Sequence, residues 1–149
     1  KEERESVDDS NENDLQLLAT HDKQRLTQLA EILPQVDTNE IWNCHYLAYL
    51  LQHGETTEDY EKAHFYAKKA VDMGSNVTKW LYAATKDRLL ISQGKVQRFG
   101  TQFEKVDGQW RHMPVNPNTT DTERAKYGVP PLAEALQRFK DKYSKKKDK

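Results

Sequence analysis

Asp87 and Arg88 fall where a helix should be apolar. At about 100° per residue, Val77, Trp80, Leu81, Ala84, Asp87, Arg88 and Ile91 share one face, so a negative and a positive charge are aimed inward together. Burying a charge is costly unless it is paired and hydrogen-bonded. The pattern breaks twice more. Asp22, with Arg25 at its edge, interrupts the stripe Leu15, Leu18, Ala19, Leu26, Leu29 and Leu33, and an otherwise apolar helix carries His45, Gln52 and His53. Three helices that each turn polar groups inward point to a shared interior. Acids, guanidinium groups and imidazoles in a shielded cavity shift one another's proton affinities, as acid–base catalysis requires.

The chemistry expected of this set is that of a hydrolase or lyase acting on a small or peptide-like polar substrate. His53 would be the general acid or base, with Asp87 orienting it. Arg88 and Arg124 would hold an anionic group, while Asp22, Arg25, Gln97, Thr101 and Gln102 would bind the rest of the substrate. The alternative is a non-catalytic interaction or ligand-binding module. There the same charges form a buried structural network, His53 caps the helix end before Gly54, and Tyr60, Phe65 and Trp110 meet a partner. An open, solvent-reachable cavity would favour the site, and a closed, fully paired network the module.

No metal or cofactor is expected. His45 and His53 are eight residues apart, whereas a chelating pair on one helix needs a spacing of three or four. The adjacent His21 and Asp22 point in different directions. His64 reads as a surface or boundary residue and His112 as part of a hairpin. The chain has no glycine-rich phosphate loop and no nucleophile elbow, and its single cysteine, Cys44, reads as an inert core thiol.

The elements that must position these residues read as a mainly α, single-domain helical bundle of about six helices with one small β-hairpin. Helices are expected over about 14–33, ending at Pro34; from a cap at Asp37 or Thr38 to His53; over 57–73; and from Ser75 or Asn76 to Gln93. The second, apolar on nearly every side, reads as the central helix. After Gly94 the period changes, and Val106-Asp107-Gly108-Gln109 is a two-residue turn between strands 102–106 and 109–113. Thr120 and Glu123 form a capping box for a short helix ending at Gly128, and Pro130-Pro131 open the last, with Leu132, Leu136 and Phe139 in its stripe. The pocket is expected between the first, second and fourth helices, under the 97–102 loop.

Bulk properties narrow the function classes. A chain of 149 residues has room for one core. Residues 1–14 carry seven acidic and two basic residues and read as a disordered acidic leader. From Arg138 the balance reverses to seven basic and two acidic, and 144–149 reads as a basic disordered tail, leaving 15–143 as the domain. The ends nearly cancel to a net charge of −1, so nucleic acid is not expected as a partner; a small polar or anionic ligand is. No apolar run reaches membrane-spanning length. The expected setting is soluble, either cytoplasmic or exported after loss of an N-terminal segment. Oligomeric state is left open.

Together, His53, Asp87-Arg88, Gly94, Gln97, Phe99-Gly100-Thr101-Gln102, Gly108, Pro114, Arg124 and Gly128-Val129-Pro130-Pro131-Leu132 resemble the signature of a widespread, mainly bacterial domain of unknown function. That signature runs from a His after an apolar helix, through Asp-Arg and Gly-x-x-Gln-x-Tyr-Gly-Thr-Gln, to an Arg before Gly-Leu-x-Pro-Leu. The resemblance covers about His53 to Phe139. Phe99 stands where the pattern has Tyr, and Val129-Pro130 departs from it more mildly. The resemblance implies a site at these residues and carries no reaction with it.

Overall fold

The computed structural model describes the backbone of residues 12–147 and the side chains of 20–144. Its helices are α1 (Glu12–Ile32), α2 (Ile41–Leu51), α3 (Thr57–Asp72), α4 (Lys79–Ser92), α5 (Asp121–Lys126) and α6 (Leu132–Lys147), with a 3-10 turn at Leu33–Gln35. The strands β1 (Phe103–Val106) and β2 (Gln109–His112) lie between α4 and α5. The protein is therefore mainly α, with six helices and one hairpin among the described residues, as expected from the sequence. Of the acidic stretch 1–14, residues 1–11 lie outside the described residues and 12–14 open α1. At the other end α6 runs through 144–147, expected to be tail, because no glycine or proline after Leu132 stops it.

Two helix starts differ from expectation for local reasons. Asp37 does not cap α2; its carboxylate accepts from the Asn39 N–H at 2.9 Å, a turn of its own that delays the helix to Ile41. Thr78 precedes α4 without a side-chain cap, because its hydroxyl is drawn to His45 Nδ1 at 2.9 Å and Ser75 Oγ at 2.6 Å. Val77, expected on the inward stripe, therefore precedes the helix and is exposed. α3 starts on a complete capping box between Thr56 and Asp59, an arrangement that stabilises a helix by about 1 kcal/mol.

The central helix is α3, not α2. Ala63, Ala67 and Ala70 form a fully buried stripe of small side chains that lets α2 and α4 pack closely on α3 from both sides. α2 buries only Cys44, Leu47, Ala48 and Leu51, and its Trp42 and Tyr46 face solvent. The main core joins Leu29 of α1 to Leu47, Leu51 and Ala63. A separate cluster of Ala83, Phe99 and Val129, walled by Tyr82 and Tyr127, fastens the loop after α4 to the bundle.

The hairpin pairs Phe103 with His112 and Val106 with Gln109. Asp107 and Gly108 both take positive φ, 50° and 76°, as a type I′ turn demands. Phe103 stacks on Phe139 at 4.2 Å, and Trp110 meets Phe139 and Tyr143 edge-on at 4.9 Å. These contacts seat α6 against the hairpin and bring its inner face towards α4.

Candidate functional site

The loop from Arg98 to Thr101 wraps around a single carboxylate. Asp87 is fully buried; its Oδ1 accepts from the Arg98 and Phe99 N–H groups at 2.8 and 2.9 Å. Its Oδ2 accepts from the Thr101 N–H at 3.0 Å and the Thr101 hydroxyl at 2.8 Å. Converging backbone N–H groups of this kind form a concave anion nest, and here the protein fills its own nest. Gly100, at φ 90°, makes the bend, and a Cβ there would run into Leu132 Cδ2.

Gln97 closes the same loop from the other side. Fully buried, it donates through Nε2 to the carbonyls of Gln102 at 2.9 Å and Met113 at 2.8 Å, and accepts the Gln102 N–H through Oε1 at 3.0 Å. Both amide hydrogens are consumed, so Gln97 has no donor for a ligand. Arg124 is buried as well. Its Nε donates to the Phe99 carbonyl at 3.0 Å, and its Nη1 to the Thr119 carbonyl at 3.0 Å and to Asp121 at 3.1 Å. Asp87, Gln97 and Arg124 thus hold the loop in one shape.

Above that scaffold lies a cavity of about 560 Å³. α4 supplies Trp80 and Arg88, and the loop and β1 supply Gly100, Thr101, Gln102 and Phe103. Gly128, Val129 and Pro130 form one end. From α6 come Ala135, Arg138, Phe139, Lys142 and Tyr143, an i, i+3, i+4, i+7, i+8 stripe. Trp80, Arg138 and Lys142 are exposed, so the cavity is reached from solvent. The wall carries three cations, Arg88, Arg138 and Lys142, and no carboxylate or imidazole among the described residues. Thr101 Oγ1 donates to Asp87 and accepts from Gln102 Nε2 at 3.0 Å, which fixes both polar side chains at the cavity edge.

Of the residues singled out in the sequence, Arg88, Thr101 and Gln102 meet at this cavity. Asp22 and Arg25 form a pair within α1, with Arg25 Nη1 donating to Asp22 Oδ1 at 3.4 Å. His53, just past α2, sits edge-on to Tyr49 at 5.4 Å. Among the described residues neither α1 nor α2 contributes to this wall, and this cavity lies between α4, the loop and α6. Family comparison matches residues 8–148 to one group. The chain belongs to DUF6624, a family of unknown function. No curated protein and no solved structure matches it. In this DUF6624 chain the Asp-Arg pair divides its labour: Asp87 builds the loop and Arg88 faces the cavity.

Sequence reasoning missed Arg138 and Lys142, which the basic composition of the C-terminal segment disguised as solvated charge. The available signal was their spacing, since both fall on the stripe shared by Ala135, Phe139 and Tyr143. His64, read as a surface or boundary residue, is half-buried: its Nδ1 is hydrogen-bonded to the Thr85 hydroxyl at 3.1 Å and its ring lies against Tyr82 at 4.7 Å. Burial, and secondarily the charge of Lys86, lowers its pKa to about 4. A folded-state value below the unfolded one means that its contribution to stability is complete above about pH 6.5 and is lost as pH falls through about 4. Urea unfolding at descending pH should show this loss, and His64→Gln should flatten it. An equally steep decline in the variant would assign the effect elsewhere.

Among the described residues no helix is long and apolar enough to cross a membrane, and no group of three His, Cys, Asp or Glu side chains is placed to hold a metal. Cys44 is buried, donates to the Thr38 carbonyl at 3.1 Å, and has its pKa raised by burial, all of which oppose thiolate chemistry.

Proposed function

We propose that this DUF6624 chain is a ligand-binding domain whose cavity between α4 and α6 takes a small organic anion. The observation that carries the reading is the wall itself, which among the described residues has three cations, no carboxylate, and an apolar remainder that includes Trp80, Phe103 and Phe139. Such a surface lowers the energy of negative charge and buries a planar apolar body. The volume, about 560 Å³, is that of a site for a small molecule rather than a bare ion.

The acid–base reading relied on Asp87 orienting His53. Four hydrogen bonds already commit the Asp87 carboxylate to the loop, and among the described residues the cavity wall has no imidazole to act as base. Binding is therefore the better-supported role.

Calorimetric titration with naphthalene-1-sulfonate and with neutral 1-naphthol tests the proposal. The sulfonate should bind about tenfold more tightly or better, the effect of about 1.4 kcal/mol of favourable charge interaction. Arg138→Ala should erase most of that preference. Its pair with Glu134 is exposed on both sides, so the fold should survive the change. Lys68→Ala, on α3 and paired with Asp72, should leave binding unaltered. Equal affinity for anion and neutral probe would sink the reading.

A further inference from the structure

We infer that the ligand's ring presents a lactam-like edge, an N–H beside a carbonyl, to the side-chain amide of Gln102; this inference rests on the organic-anion reading of the same cavity. The chain of bonds starts at Asp87. Its carboxylate takes the Thr101 hydroxyl hydrogen at 2.8 Å, which leaves Thr101 Oγ1 only lone pairs to offer Gln102. Gln102 meets them with Nε2, at 3.0 Å. An amide turned the other way would set Oε1 against an oxygen with no hydrogen to give, so Asp87 fixes, through Thr101, which end of the Gln102 amide is which. The backbone there is fixed as well. The Gln102 N–H donates to Gln97 Oε1 at 3.0 Å, and its carbonyl accepts from Gln97 Nε2 at 2.9 Å and from the Met113 N–H at 3.1 Å.

Gln97 and Gln102 differ in what they have left. Gln97 commits both amide hydrogens and its oxygen to the loop. Gln102 commits one hydrogen. Its second Nε2 hydrogen and its Oε1 make no hydrogen bond to a described residue, and Oε1 is not one of the buried unpaired atoms, so it is open to solvent where Gln102 lines the cavity. Among the described residues of this wall, Gln102 is the one side-chain amide. The nearby imidazole does not compete for the same edge: His112 Nε2 is bonded to the Leu132 carbonyl at 2.8 Å, and its Nδ1 is buried beside Gly100.

A planar amide with one acceptor and one donor left pairs with a planar group that carries the reverse order, as glutamine does with the adjacent donor and acceptor of adenine. A neutral edge fits best. A carboxylate could use the N–H but would repel Oε1, and a guanidinium could use Oε1 but would repel the N–H and the cations of the wall. The ligand's negative group therefore belongs with the cations and its lactam edge with Gln102, while Trp80 and Phe103 offer the ring an apolar surface in the same cavity.

Calorimetric titration at one fixed pH compares 2-quinolone-4-carboxylate, which has the lactam edge, with its N-methyl derivative, which lacks the donor. The lactam should bind about tenfold more tightly. Gln102→Met keeps the length of the side chain and every backbone bond, and in it that preference should fall to near unity. The loss for naphthalene-1-sulfonate, which has no such edge, should be smaller than the loss for the lactam by the same factor. A preference that persists in Gln102→Met comes from the bulk of the methyl group and overturns the inference. Equal binding of the two quinolones to the parent, or binding of neither, overturns it too, and that result holds even where the variant does not fold. Binding of the sulfonate then leaves the organic-anion reading standing. Failure of all three anions removes that reading itself.

Discussion

Asp87→Ala is expected to destabilise the fold by about 4 kcal/mol, a large part of the roughly 5–15 kcal/mol that holds a domain of this size together. The side chain has no solvent exposure, and its carboxylate accepts four hydrogen bonds from Arg98, Phe99 and Thr101. Truncation leaves three backbone N–H groups and a hydroxyl in the interior. A stranded buried donor costs about 1–3 kcal/mol, less whatever relaxation or entering water recovers. Asp87→Asn preserves the volume but sets an NH2 group against donors on one side, so a loss of about 2–3 kcal/mol is expected. Urea unfolding measures both. If Asp87 mainly oriented a catalytic imidazole, Asp87→Asn would unfold close to the parent midpoint, and that result would contradict the role assigned to it here.

The same substitution should also reach the ligand. Thr101 Oγ1 is held by Asp87 and in turn holds Gln102 Nε2, so loosening the loop displaces two polar groups at the cavity edge. Partial unfolding and weakened binding should accompany one another in Asp87→Asn. In Arg138→Ala binding should weaken alone, because that side chain is exposed and, among the described residues, pairs only with the exposed Glu134.

Periodicity made the elements legible. Capping residues, the Asp-Gly turn and the proline pair located the helices and hairpin to within a few residues, since each acts through local backbone chemistry. The inward charges were legible too, and Asp87 is indeed fully buried. What the sequence could not supply was which inward groups meet. Asp22, His53 and Asp87 all break an apolar stripe, and a stripe alone does not say which of them share a cavity. The roles of Gln97 and Asp87 were hidden for a related reason. Both bond to backbone groups 5 to 16 residues away in sequence, and backbone atoms leave no mark on side-chain patterning. Arg138 and Lys142 were obscured by composition: a basic segment reads as solvent-facing until the residues between its charges are placed on a helix.

Gln97→Glu should be the most damaging near-isosteric change in the protein, with an expected loss of about 3–5 kcal/mol at neutral pH, the range for leaving a buried charge uncompensated. The new carboxylate would face the Gln102 and Met113 carbonyl oxygens, which the amide now meets with donors at 2.9 and 2.8 Å. Acceptor would oppose acceptor in a fully buried setting, and only the Gln102 N–H, at 3.0 Å, would remain a suitable partner. Protonation restores one donor. The introduced carboxyl should therefore have a folded-state pKa above its unfolded value of about 4.3. By linkage, the variant keeps its residual stability below about pH 4.3 and loses it as pH rises through the higher folded value. Gln97→Ala lacks the charge and should show no such extra dependence, while still losing about 2–3 kcal/mol through the stranded carbonyls and N–H. Unfolding curves for the two variants between acidic and neutral pH should diverge. Parallel curves would mean that the carboxylate finds a donor, and that the loop is less rigidly closed by Gln97 than its three hydrogen bonds imply.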